Sequence, residues 1–220
     1  MKNKKLKLSD TDLKAVEYRD GAFLNAKGAD LYQKGDAAGG LEYYRLAACF
    51  EDRDALNNLG NCYLYGRNLP QNTDLALVYL ELASTRGSIH ATSSLGGVFG
   101  SDHWGRYDLE RSDYYYLRAA DMIMHGDWDV DDVMYNESLL EYPELCFALG
   151  RQFGKDGSMG EDFELSFMFL MAAEVGFGLH IGEGDPAYEE AREAVLDYME
   201  RPEYADYLAE YEGDFDRNYN

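Results

Sequence analysis

Chemistry in a sequence begins with side chains that can bind metal, attack, or move protons. This chain has four histidines, His90, His103, His125 and His180, and three cysteines, Cys49, Cys62 and Cys146. No histidine has a second ligand three or four residues away, the spacing a helical zinc site needs. The cysteines are odd in number and widely spaced, which is not a disulfide framework. They fit buried thiols in a reducing compartment, and a cytoplasmic location is expected. Asp127-Trp128-Asp129-Val130-Asp131-Asp132 spaces its carboxylates in the manner of a calcium loop. Such a loop needs Gly at its sixth position and Glu at its twelfth, and here those are Asp132 and Ser138. There is no phosphate loop, dinucleotide fingerprint or nucleophile elbow. The residues therefore predict no enzyme, no cofactor and no resident metal.

Charge narrows the partners. The formal net charge is −22 and the isoelectric point is near 4.4. Such a chain repels nucleic acid and anionic lipid, and it suits high solubility or a basic partner. The charge is uneven: residues 1–8 carry four Lys and no acid, whereas residues 182–220 carry thirteen acids and three Arg. No stretch approaches 18 consecutive apolar residues, so no membrane span is expected. The 19 tyrosines suit contact surfaces, since Tyr adds area and a polar tip at small entropic cost. Most fall at repeat-core positions; Tyr65, Tyr107 and Tyr135 do not.

The elements that position these residues are written as a repeat. Leu-Gly recurs at Leu59-Gly60, Leu95-Gly96 and Leu149-Gly150, and each Gly precedes an Ala by 23 residues: Ala83, Ala119 and Ala173. Gly60 to Gly96 is 36 residues, as is Ala47 to Ala83, while Gly96 to Gly150 is 54. The last step reads as one repeat plus an 18-residue insertion at about 126–143. Gly in mid-helix costs about 1 kcal/mol of propensity, so its recurrence predicts close helix crossings, with Gly against Ala. The second helix of each pair carries apolar residues three and four apart, such as Leu75, Leu77, Val78, Leu80, Leu82 and Ala83. Glycines and Pro70 punctuate the loops, at Gly66, Gly100, Gly105, Gly157 and Gly160. Ser9 is placed to cap an N-terminal helix, and Asp185-Pro186 to start a C-terminal one; Pro202 opens a further short helix. The buried-packing role is assigned to all three cysteines.

On these residues the sequence resembles a known family. Ala55 to Gly66, Asp74 to Ala83 and Gly87 look like a Sel1-like repeat, a subclass of the tetratricopeptide superfamily. Lys27 to Asp36 with Leu41 to Ala48 looks like a shorter unit of the same kind. The resemblance spans about residues 22–177. It implies an all-α, right-handed α-solenoid of antiparallel helix pairs. Residues 1–21 would form a basic tail and capping helix, and residues 178–220 acidic capping helices and a tail. It also implies a non-catalytic scaffold that binds a protein or peptide on its concave face. The family's concave positions lie three before, one after and five after the packing Gly. They map onto Asn57, Asn61 and Tyr65, onto Ser93, Gly97 and Ser101, and onto Phe147, Arg151 and Lys155. The competing expectation is an acidic inhibitor or immunity-type protein that masks a basic site on a toxin or nuclease. It would act through the insertion residues Asp127, Trp128, Asp129, Asp131 and Asp132.

Overall fold

The computed structural model describes residues 7–126, 130–134, 136–155, 157–181 and 186–210, and among these there is no strand. The helices are α1 (Asp10–Glu17), α2 (Gly21–Gln33), α3 (Ala37–Ala48), α4 (Arg53–Tyr65), α5 (Thr73–Thr85) and α6 (Ile89–Phe99). They continue with α7 (Leu109–Met124), α8 (Val130–Met134), α9 (Pro143–Phe153), α10 (Phe163–Ile181) and α11 (Pro186–Met199). Most begin on a short polar side chain that accepts from a backbone N–H two or three residues into the first turn. Ser9, Asp20, Asp36, Asp52, Asn72 and Asp108 all do this. The chain forms two compact units, Met1–Val98 and Phe99–Asn220.

The first unit packs α2 on α3 and α4 on α5. Glycine makes each crossing possible. A Cβ on Gly40 would lie 2.8 Å from the Gly28 carbonyl oxygen. A Cβ on Gly60 would lie 2.7 Å from Cγ and Cδ2 of Leu80. In the second unit, a Cβ on Gly150 would lie 2.8 Å from the same atoms of Leu170. The repeating Gly thus receives a leucine knob twenty residues on, and the buried Ala83 and Ala173 lie one turn further along. The expected Gly-against-Ala contact is corrected accordingly. The Ala position is small because it too is buried, with no exposure at Ala83 or Ala173. We predict that Gly60→Ala destabilises the chain by about 1–3 kcal/mol despite its better helix propensity, because the fully buried Leu80 cannot move aside. Urea denaturation checks this.

A second regularity accompanies the glycines. Tyr63 stacks on Tyr79 (5.6 Å, 3°), Phe99 on Tyr115 (5.7 Å, 8°) and Phe153 on Phe169 (6.1 Å, 6°). Each pair lies three and nineteen residues after the repeat's Gly. The carbonyl of the first aromatic then accepts from the N–H of the next helix's capping residue. The donors are Asn72 to Tyr63 at 2.9 Å, Asp108 to Phe99 at 2.8 Å and Asp162 to Phe153 at 2.9 Å. Stack and hydrogen bond together close the loop between paired helices. The left-handed residues Gly66 and Gly105 make the turns within two of these loops.

The described part of the insertion folds back onto the unit. Its short helix α8 packs on α10, and Val133 and Leu139 are buried. Gly176 of α10 lets it approach, since a Cβ there would lie 2.7 Å from the Leu140 carbonyl oxygen. At 19 residues, α10 is longer than α3 or α5, and its extra length carries this folded-back segment. By length and composition, α10 is apolar enough to cross a membrane. Phe167, Phe169, Leu170 and Phe177 on it are nonetheless buried within the unit, as in the core helix of a globular protein.

The first and last described elements are both tied in. Pro202–Tyr204 forms a tight turn, followed by helix at 205–210, and Tyr204 is fully buried. Ser166 donates to the Gly150 carbonyl at 2.5 Å, so the Tyr204 hydroxyl donates to Ser166 at 2.7 Å. At the other end Ser9 and Asp12 form a capping box on α1. Residues 211–220, the end of the expected C-terminal tail, lie outside the described residues.

Candidate protein-interaction surface

Asn57 and Asn61 stand one turn apart on α4, both half-buried, and Asn61 Nδ2 donates to Asn57 Oδ1 at 3.4 Å. Beside them Asn58 Nδ2 donates to Asn25 Oδ1 of α2 at 3.0 Å. Four carboxamides therefore gather on two adjacent first helices. The Asn57–Asn61 bond uses one donor and one acceptor and leaves each amide further hydrogen-bonding capacity. Tyr65 ends the row at 53% exposure, with the Arg67 guanidinium over its ring at 4.9 Å. Ser93, on α6, is half-buried, as are Gly97 and Ser101; the Ser101 hydroxyl accepts from the His103 N–H.

The matching positions of the second unit differ in kind. Phe147 is half-buried, and Tyr198 of α11 meets its ring edge-on at 6.2 Å. Arg151 is exposed with its guanidinium 5.9 Å from the same ring, and Lys155 is exposed. Phe147 thus packs against the C-terminal helix that the sequence read only as a cap. Of the insertion candidates, Asp131 and Asp132 are exposed on α8 and share a shallow depression with Asn136 and Glu137. Asp127, Trp128, Asp129 and Tyr135 lie outside the described residues. Tyr107 is 53% exposed.

The cysteines divide. Cys62 and Cys146 are buried, and burial pushes both thiols above their ordinary range. Neither suits nucleophilic chemistry, which needs the thiolate. Cys49 is exposed at the C-terminal cap of α3, which corrects the expected packing role: the helix ends there and its side chain turns to solvent. No group of three His, Cys, Asp or Glu residues able to hold a metal occurs among the described residues. His103 packs edge-on against Trp104 at 4.4 Å, and His180 bonds the Gly176 carbonyl at 2.7 Å.

One polar cluster was not found in the sequence. Asp12 is fully buried; Lys27 pairs with its Oδ1, and the Tyr43 hydroxyl donates to its Oδ2 at 2.8 Å. The Ser9 N–H and hydroxyl also donate to Oδ2, each at 2.7 Å. Burial alone would raise the Asp12 carboxyl, but the bonds from Lys27, Ser9 and Tyr43 outweigh it and hold the group well below the usual carboxylate range. Ser9 and Asp12 are legible as a capping pair; the long-range partners, 15 and 31 residues away, are not.

The helix pairs, their caps and the 36-residue register can be set against known proteins. The Sel1 repeat family model matches residues 15–49 and 53–88. Residues 15–88 therefore carry two Sel1-like repeats. The matched Sel1 repeats correspond to the end of α1 with α2–α3, and to α4–α5 with the following turn. The fold is similar to that of a Sel1 repeat protein from Oxalobacter formigenes, with a TM-score of 0.51, 17% identity, and coverage of 84% of this chain and 77% of that one. The chain also aligns with c5321, a protective antigen of uropathogenic Escherichia coli strains displaying an SLR fold. There the TM-score is 0.45 at 14% identity, covering 87% of this chain and 47% of that one, so this chain spans about half its length. No curated protein matches the sequence. The fold class expected from the sequence, an all-α solenoid of helix pairs, is the one observed.

Proposed function

We propose that this chain is a non-catalytic scaffold that holds a protein partner, in extended peptide form, against the first helices around Asn57 and Asn61. Sel1 repeats generally mediate protein–protein contacts. The observation that carries the reading is the carboxamide cluster of Asn25, Asn57, Asn58 and Asn61 on α2 and α4, flanked by exposed Tyr65. Carboxamides offer a donor and an acceptor together, which is what an extended peptide backbone presents in return. The free thiols Cys49, Cys62 and Cys146 support a cytoplasmic setting.

Peptides selected from a random display library against the intact chain test this. Asn57→Ala combined with Asn61→Ala should weaken the selected peptides at least about tenfold, with little dependence on salt. Unchanged affinity in the double variant would remove the groove from consideration.

The second reading is an acidic inhibitor that covers a basic site. It is favoured by exposed Asp131 and Asp132 sharing one depression with Glu137, in a chain of net charge −22. That reading requires affinity to fall steeply with salt and to survive the Asn57 and Asn61 substitutions.

A further inference from the structure

The two units do not share the charge of the chain. Met1–Val98 holds twelve acids and twelve Lys or Arg, whereas Phe99–Asn220 holds 30 acids and eight Lys or Arg. A base in the second unit is therefore outnumbered by carboxylates, and Arg192 is indeed paired with Glu174. Arg151 and Lys155 depart from this. Both are exposed, and among the described residues neither side chain forms an ion pair or a hydrogen bond.

Three contacts gather these bases round one tyrosine. Phe147 precedes Arg151 by one turn of α9, and its ring meets Tyr198 of α11 edge-on at 6.2 Å. The Arg151 guanidinium lies 5.9 Å from the same Phe147 ring. Gly154 is buried, and a Cβ there would lie 2.9 Å from the Tyr198 hydroxyl oxygen, so the backbone just before Lys155 touches the phenol. That hydroxyl has no hydrogen-bond partner among the described residues. A guanidinium, an ammonium and a phenol are thus all donors left without an acceptor, and the two cations cannot accept. The complementary group is a carboxylate, which a guanidinium can hold through two parallel bonds. The half-buried rings of Phe147 and Tyr198 add apolar surface beside it. An extended segment repeats its side chains on one side about every 6.6 Å, close to the rise of about 6 Å from Phe147 to Arg151. A nucleic acid or a long run of acids is disfavoured as the occupant, because the excess of acids in this unit repels it.

We infer that Phe147, Arg151, Lys155 and Tyr198 form a subsite for a single acidic side chain of an extended partner segment, with an apolar side chain two residues away resting on Phe147. The subsite belongs to the second unit and does not depend on the carboxamide cluster of the first.

The test uses the intact chain and two labelled synthetic peptides, read by fluorescence anisotropy. One carries Phe-Ser-Glu and the other Phe-Ser-Gln in an otherwise uncharged sequence, and both end in an amide, so neither has a terminal carboxylate. The Glu peptide should bind at least about tenfold more tightly than the Gln peptide. Arg151→Gln with Lys155→Gln should erase that preference, with helix content by circular dichroism unchanged. Tyr198→Phe should weaken the Glu peptide about threefold and leave the Gln peptide as it was. Asn57→Ala with Asn61→Ala should change neither peptide, which separates this subsite from the proposed groove. Absence of a preference for Glu over Gln, or a preference that survives loss of both cations, would overturn the inference. So would a Gln peptide with a free C-terminus that binds as tightly as the amidated Glu peptide, since a chain terminus would then be the occupant.

Discussion

Asp12→Ala should destabilise the first unit by about 3 kcal/mol. The carboxylate is fully buried and receives Lys27, the Tyr43 hydroxyl and two donors from Ser9. Removing it strands the Lys27 ammonium and a buried phenol together, and breaking one side of a buried pair costs about 3–5 kcal/mol. The lower end applies because the Lys27 side chain keeps 31% exposure and can turn toward water. The same cluster sets a pH dependence. The Asp12 carboxyl is held below its unfolded value, so its contribution is complete above about pH 4 and is lost as pH falls below that. Lys27 is shifted the other way: burial would lower it, but Asp12 outweighs burial and holds it up. Its contribution is therefore present through neutral pH and is lost only in strong alkali. The natural chain should thus lose stability between pH 4 and pH 2 in urea titrations followed by far-ultraviolet circular dichroism. Asp12→Asn should start lower at pH 7 and show a flatter decline. An equal decline in both proteins would mean that other carboxylates set the acid sensitivity.

Phe169→Ala should destabilise the second unit by about 3–5 kcal/mol, the usual range for deleting a buried aromatic. Phe169 has no exposure, and its ring lies parallel to Phe153. Its loss opens a void and unseats the aromatic whose carbonyl receives the Asp162 N–H. Phe169→Leu keeps most of the volume and should lose about 1 kcal/mol. Both tryptophans, Trp104 and Trp128, belong to the second unit, so tryptophan fluorescence during urea unfolding reads this unit selectively. A loss below about 1 kcal/mol for the alanine variant would show that the stack is ornamental to the fold.

Much of this architecture was legible because repeats restate themselves. The Gly60, Gly96 and Gly150 register located helix pairs, and Ser9 and Pro186 marked helix starts that the structure places within a residue. The role of the Gly was read with the wrong partner. Spacing alone shows that a small residue recurs; it does not show whether the opposing leucine or the opposing alanine enters the gap. That Leu75, Val78 and Leu82 of α5 are exposed was hidden for a related reason. A helix with apolar residues on two sides gives a periodicity that blurs into one broad stripe, and burial then decides which side faces in. Phe147 was expected on an open face because its position was carried over from a regular solenoid, whereas here Tyr198 of α11 packs on it. The Asp12 cluster joins residues too distant in sequence for any local pattern to connect.

The bond from each capping N–H to the aromatic carbonyl spans nine residues in all three cases, Tyr63 to Asn72, Phe99 to Asp108 and Phe153 to Asp162. Between those fixed ends the residues differ freely: Gly66 and Pro70 in one, Gly105 in the next, Gly154 and Gly160 in the third. The molecule therefore presents three sockets of constant length and variable content. Leu64 and Gly154, the first residues after two of the aromatics, are buried, so a foreign epitope would replace only the exposed middle of a loop, with the aromatic, the residue after it and the polar cap kept.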